Sequence, residues 1–196
     1  KNLLIIGHSM GGTLAADIAG DLPNSVDKII FVDEIVIYGS NTDEMCQEIR
    51  DRYGSKIPIY IYPDPACRQR KTSAGGRTDL SILQNAGFTV KAKLKHTAIR
   101  DRVNNVNSRL KDSNGHRNIF ISKSCKTIIK GLQRQVYKEN TNIPDKEEGF
   151  DHMNDAVGYL VDYVKPLTLK SPISDPQRWN IKGKHGLQQR RGTRYS

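Results

Sequence analysis

The chain has 196 residues, 36% of them hydrophobic, one Trp and a formal charge of +10. That length can bury a core within one domain, and no apolar run approaches the roughly 18 residues of a membrane-spanning helix. Cys46, Cys67 and Cys125 are widely spaced and odd in number, which fits neither a disulfide framework nor a zinc pattern and points to a reducing compartment.

The charge is unevenly placed. Residues 1–67 carry a net −5, residues 68–134 a net +13, residues 135–165 a net −4 and residues 166–196 a net +6. A basic middle flanked by acidic segments suggests a polyanion held against carboxylates, beyond what solubility requires.

Residues 1–12, KNLLIIGHSMGG, read as an apolar strand entering G-H-S-M-G. This is the G-x-S-x-G nucleophile elbow, with Ser9 at its turn. Residues 13–34 resemble the helix and next strand of α/β-hydrolases. In such an enzyme an acid and then a His must follow; Asp64 and His152 can be nominated, though neither stands in a matching context. Residues 1–6 are too short for a signal peptide.

A β-branched strand is expected over residues 28–38 and a turn at 39–41. A helix capped by Thr42 follows to about residue 53, with Met45, Cys46 and Ile49 on its buried face. Residues 57–62, IPIYIY, form the next strand and end at Pro63-Asp64-Pro65. An Asp at the carboxyl end of a buried strand sits where α/β folds place ligands, and the flanking prolines restrict its backbone. Residues 66–79 are a basic loop rich in Gly and hydroxyls, able to hold phosphates without matching a nucleotide-binding spacing. Further along, the pattern gives a helix over 79–86, a strand over 88–92 and a helix over 96–110. That last helix has Ile99, Val103, Val106 and Leu110 inward and Arg100, Arg102 and Arg109 outward. A turn around Asn114-Gly115, a strand over 118–122 and an amphipathic basic helix over 125–138 complete the middle of the chain.

Residues 150–164, FDHMNDAVGYLVDYV, read as one helix, with Phe150, Met153, Val157, Leu160, Val161 and Val164 at helical spacing. Asp151 and Asp155, four apart, share a face beside that stripe. A half-buried carboxylate is costly unless it is paired or binds a cation.

Four stretches resemble the nuclease domain of tailed-phage terminase large subunits: DEIVIYGSNTDEM (33–45), YPDPACRQRKTSAGGRTDLSILQNAGF (62–88), IRDRVNNVNSRL (99–110) and FDHMNDAVGYLVDYV (150–164). The resemblance implies an α/β fold of the RNase H-like kind, with a mixed central sheet flanked by helices, over residues 1–165. A flexible basic tail is expected over 166–196. It also implies a soluble phage protein of the host cytoplasm that cuts double-stranded DNA during packaging, with the portal and the terminase ATPase and small subunit as partners. Two metal-binding acids carry over, Asp64 and Asp155. The family's first acid, on the opening strand, has no counterpart, since His8 and Ser9 stand there; Asp17 and Asp33 are the nearest acids downstream, and Asp151 is a candidate substitute.

The chemistry expected is hydrolysis with two Mg²⁺ or Mn²⁺ ions about 4 Å apart clamping the scissile phosphate, since carboxylate oxygens suit these hard cations. DNA phosphates would meet Arg68, Arg70, Lys71 and Arg77, with Lys91, Lys93 and Lys95 beside them. No phosphate-loop motif occurs, so no ATP hydrolysis is expected from this chain itself. Two other readings stay open: a serine hydrolase using Ser9, with Ser9 otherwise expected near Asp64 and Asp155, and a DNA-binding module without catalysis.

Overall fold

The computed structural model describes residues 2–8, 14–17, 28–70, 75–141 and 143–167, the first two segments as backbone only. Among these residues, β1 (Asn2–His8), β2 (Leu14–Asp17), β3 (Ile29–Ile37), β4 (Tyr60–Pro63), β5 (Thr89–Val90) and β6 (Ile119–Ile121) form one sheet in the order β5-β4-β2-β1-β3-β6. β2 is antiparallel to both neighbours, and every other pairing is parallel, so the sheet is mixed as expected.

Helices cover both faces. On one side α1 (Thr42–Tyr53) and α2 (Asp79–Asn85) bury Met45, Cys46, Ile49, Ile82 and Leu83 against Ile35, Ile59 and Ile61 of the sheet side. On the other lie α3 (Ile99–Leu110), α4 (Lys126–Arg134) and α5 (Asp151–Val164). Their core joins Val106, Ile128, Met153, Val157, Leu160 and Val161 to Phe31 and Tyr62. α5 packs on β1, β2 and β4 and is flanked by α3 and α4. The apolar stripe read for this helix is therefore its sheet-facing side.

Phe31 and Ile35 face opposite layers although they are four residues apart. The cause is a register shift: Leu3 pairs with Phe31 but Ile5 pairs with Glu34, so β3 carries one extra residue. Side chains alternate along a strand, so one inserted residue exchanges the two faces. Beyond the shift Glu34 points to the α4 layer, where its carboxylate accepts from the backbone N–H groups of Thr127 (2.7 Å) and Ile128 (2.9 Å). α4 has no side-chain cap of its own; Glu34 supplies one from 93 residues away in sequence.

Several local expectations are corrected. Where a helix is expected after the elbow, Leu14–Asp17 forms strand β2, paired with β1 and β4. The N-cap of α1 is Asn41 rather than Thr42, because Asn41 and Glu44 form a reciprocal capping box, while the Thr42 hydroxyl donates to buried Asp79 at 2.8 Å. β4 starts at Tyr60 instead of residue 57, and β5 shrinks to two residues. α3 starts at Ile99 rather than residue 96, since the Thr97 hydroxyl is used on α5, and Ile99, read as inward, is exposed. α4 stops at Arg134 rather than residue 138, where Tyr137 turns back to bridge Pro144. Arg102, read as outward, is buried.

Losing the remote cap should unpair two backbone donors at the start of α4. Glu34→Ala is expected to cost about 1–2 kcal/mol, read as a lower urea midpoint with an unchanged slope. Glu34→Gln should recover part of the loss.

Candidate active site

Asp64 follows β4 directly, and its backbone is extended (φ −52°, ψ 134°). Its Oδ1 accepts from the Ala66 N–H at 2.8 Å, capping a short 3₁₀ turn at Pro65–Arg68. The turn-forming role of an Asp between prolines is thus real, and it leaves Oδ2 to face the helix layer. There the Tyr159 hydroxyl of α5 donates to Oδ2 at 2.8 Å. His96 Nδ1 lies 3.6 Å from Oδ1 on the exposed side.

Tyr159 lies one helical turn after Asp155, so both belong to one face of α5. The Asp155 carboxylate is paired with Arg102 of α3, whose guanidinium lies 4.4 Å above the Tyr159 ring centroid. Asp64, Tyr159, Arg102 and Asp155 therefore form one connected chain of contacts across β4, α5 and α3. Burial raises the Tyr159 hydroxyl far above its ordinary range; nearby Arg102 lowers it, and Asp155 and Asp64 raise it further. The hydroxyl stays protonated and donates to Asp64.

Asp151, one turn before Asp155, is buried and pairs with Lys146 at 3.3 Å, leaving Oδ1 without a partner. It shares with Asp155, Asn154 and Arg102 a cavity of about 180 Å³ between α3, α4 and α5. The structure thus places Asp64 and Asp155 about a common tyrosine and sets Asp151 toward the helical cleft. His152 is exposed on α5. Ser9, Lys71 and the tail beyond residue 167 lie outside the described residues, as do the side chains of His8 and Asp17. Asp33 accepts from the Tyr53 hydroxyl at 2.5 Å.

The donor chemistry fits a hard divalent ion in kind: two carboxylates, each more than a quarter exposed, at the sheet end and on the facing helix. Among the described residues no three acidic, His or Cys side chains stand close enough to hold one ion together. The cysteines are buried; burial pushes the Cys46 thiol up to about 12 and raises Cys125, so neither is poised as a nucleophile.

The cations expected to meet DNA differ in their surroundings. Arg68, Arg70 and Lys95 are exposed. Arg77 pairs with Asp43 at 3.1 Å, and Lys91 lies 5.6 Å from the Tyr60 ring centroid. Lys93 serves another purpose: its ammonium sits 2.6 Å from buried Asp162 of α5, which also accepts from Thr97 at 2.7 Å. Sequence reasoning set Arg102 outward and gave Tyr159 no role. The available signal was Gly158, where a Cβ would meet Arg102 Cγ and Cδ at 2.9 Å.

Because Lys93 neutralises a buried acid, Lys93→Met should unfold more readily rather than merely bind DNA less well. The expected loss is about 2 kcal/mol, short of a fully buried pair because Lys93 is 30% exposed. Chemical denaturation of the variant reads it directly.

No curated protein and no solved structure gave a match to the chain. A family model does: the terminase RNaseH-like domain matches residues 27–163, more than two thirds of the chain. The matched segment runs from the start of β3 to the end of α5 and so contains Asp64, Arg102, Asp155 and Tyr159. The chain belongs to the terminase RNase H-like domain family.

Proposed function

We propose that this domain cleaves double-stranded DNA during phage genome packaging in the host cytoplasm, with Asp64 and Asp155 as its metal ligands. The observation that carries the reading is the chain of contacts in which Asp64 accepts from Tyr159 and Asp155 pairs with the Arg102 that lies on the Tyr159 ring, within a terminase RNase H-like domain. Magnesium or manganese held there would supply Lewis-acid charge for the scissile phosphate and a more acidic bound water. The protein's own contribution is positional. Backbone geometry around Pro63 and Pro65 fixes Asp64, the Tyr159 hydroxyl orients its Oδ2, and the rigid α5 presents Asp155 from the facing layer. Asp151 is kept as a further ligand candidate through its partnerless Oδ1.

Arg68, Arg70, Lys71, Arg77, Lys91 and Lys95 would neutralise DNA phosphates without reading bases. Partners would be the other packaging proteins, the portal and the terminase ATPase and small subunit, with residues 167–196 as a docking or charge-bearing tail. The paired state of Asp155 favours one second reading, DNA binding without cleavage. Nicking of supercoiled plasmid in Mn²⁺ separates the two.

Asp64→Asn and Asp155→Asn are each expected to abolish that nicking while plasmid binding persists. Undiminished cleavage by either variant removes that residue from the site. DNA binding by the wild type should fall with salt at a log–log slope of about −0.9 per phosphate contact; a flat salt dependence or strong base preference contradicts the assigned cations.

A further inference from the structure

α5 carries three carboxylates beside its apolar stripe, and each has a cation from another segment. At Asp151 and Asp162 the acid is buried (each side chain 7% exposed) and the lysine is the more open partner. At Asp155 the order is reversed: the Arg102 side chain is 5% exposed and the carboxylate 29%. The first two pairs neutralise acids that folding has enclosed. The third holds a cation beneath an acid that solvent can reach.

Arg102 is also anchored independently of Asp155. Its guanidinium rests on the Tyr159 ring, an attraction that does not need the carboxylate. Its methylenes cross α5 at Gly158, where a Cβ would meet Arg102 Cγ and Cδ at 2.9 Å.

We propose that Arg102 is a resident counter-cation for Asp155, competing with a divalent ion for that carboxylate and keeping the site charge-balanced when no metal is bound. The inference rests on the reading of Asp155 as a metal ligand. With Asp155 given over to a divalent ion, Arg102 would part from the carboxylate and stay on the Tyr159 ring in its groove. Arg102 is in this account a positioning residue. Apparent metal affinity is reduced by the fraction of molecules in which Arg102 holds Asp155; a pairing favoured about ten to one weakens it about tenfold.

The test is calorimetric titration of the full chain with Mn²⁺, comparing wild type, Arg102→Gln, Gly158→Ala and Asp155→Asn. Arg102→Gln should bind about tenfold more tightly. Gly158→Ala, which keeps the charge but pushes the side chain off its path, should shift the same way, and Arg102→Lys should lie near wild type. Equal or weaker binding by Arg102→Gln and Gly158→Ala overturns the competition. If Asp155→Asn binds like wild type, the reading of Asp155 as a ligand has failed instead. Should the Arg102 variant not fold, the wild type decides: the Arg102 Nε–Hε resonance must move as Mg²⁺ saturates the Asp155-dependent site, and a resonance that stays fixed refutes the proposal.

Discussion

Helix α5 must lie on the sheet, and it carries acids that cannot be buried alone. Its apolar side covers β1, β2 and β4 and forms much of one core, so the helix cannot roll outward to solvate Asp151 and Asp162. An unpaired buried carboxylate costs several kcal/mol. The two enclosed acids therefore recruit Lys146 from the preceding loop and Lys93 from the segment after β5, while the more open Asp155 meets Arg102 of α3. These pairs tie the surrounding elements to the central helix. They also explain why some of the basic middle of the sequence is turned inward.

The same constraint shapes the site. Asp64 is fixed by its own backbone and by Tyr159, and Asp155 by Arg102, with the Tyr159 ring under Arg102 linking the two. A carboxylate at a strand end and another on the helix packed over it make a place where positive charge is wanted. In this structure an arginine answers that demand from the buried side.

Much of this was legible from residues alone. The period of α5 and the Pro-flanked Asp64 gave the sheet–helix pair and its two acids. The segment read as strand 28–38 differs from β3 by a residue at each end. What could not be read depends on contacts distant in sequence. Arg102 flanks the stripe of Val103 and Val106, and an arginine at such a place is ordinarily solvated; only the paired acid and the missing Cβ at Gly158 draw it inside. The register shift in β3 changes which face Glu34 and Ile35 occupy, and no periodicity count within one strand shows where its partner skips a residue. Asn41 displaced Thr42 as the cap because Glu44 stands three residues after it, whereas Thr42 was drawn to Asp79, 37 residues away.

The most direct measurement is a crystal structure of the domain grown or soaked with Mn²⁺, phased to show anomalous scattering. The account predicts an anomalous peak bonded to Asp64 and Asp155, with Arg102 parted from Asp155 and still stacked on Tyr159. A peak elsewhere, or none at saturating Mn²⁺ with Arg102 still paired to Asp155, would contradict it.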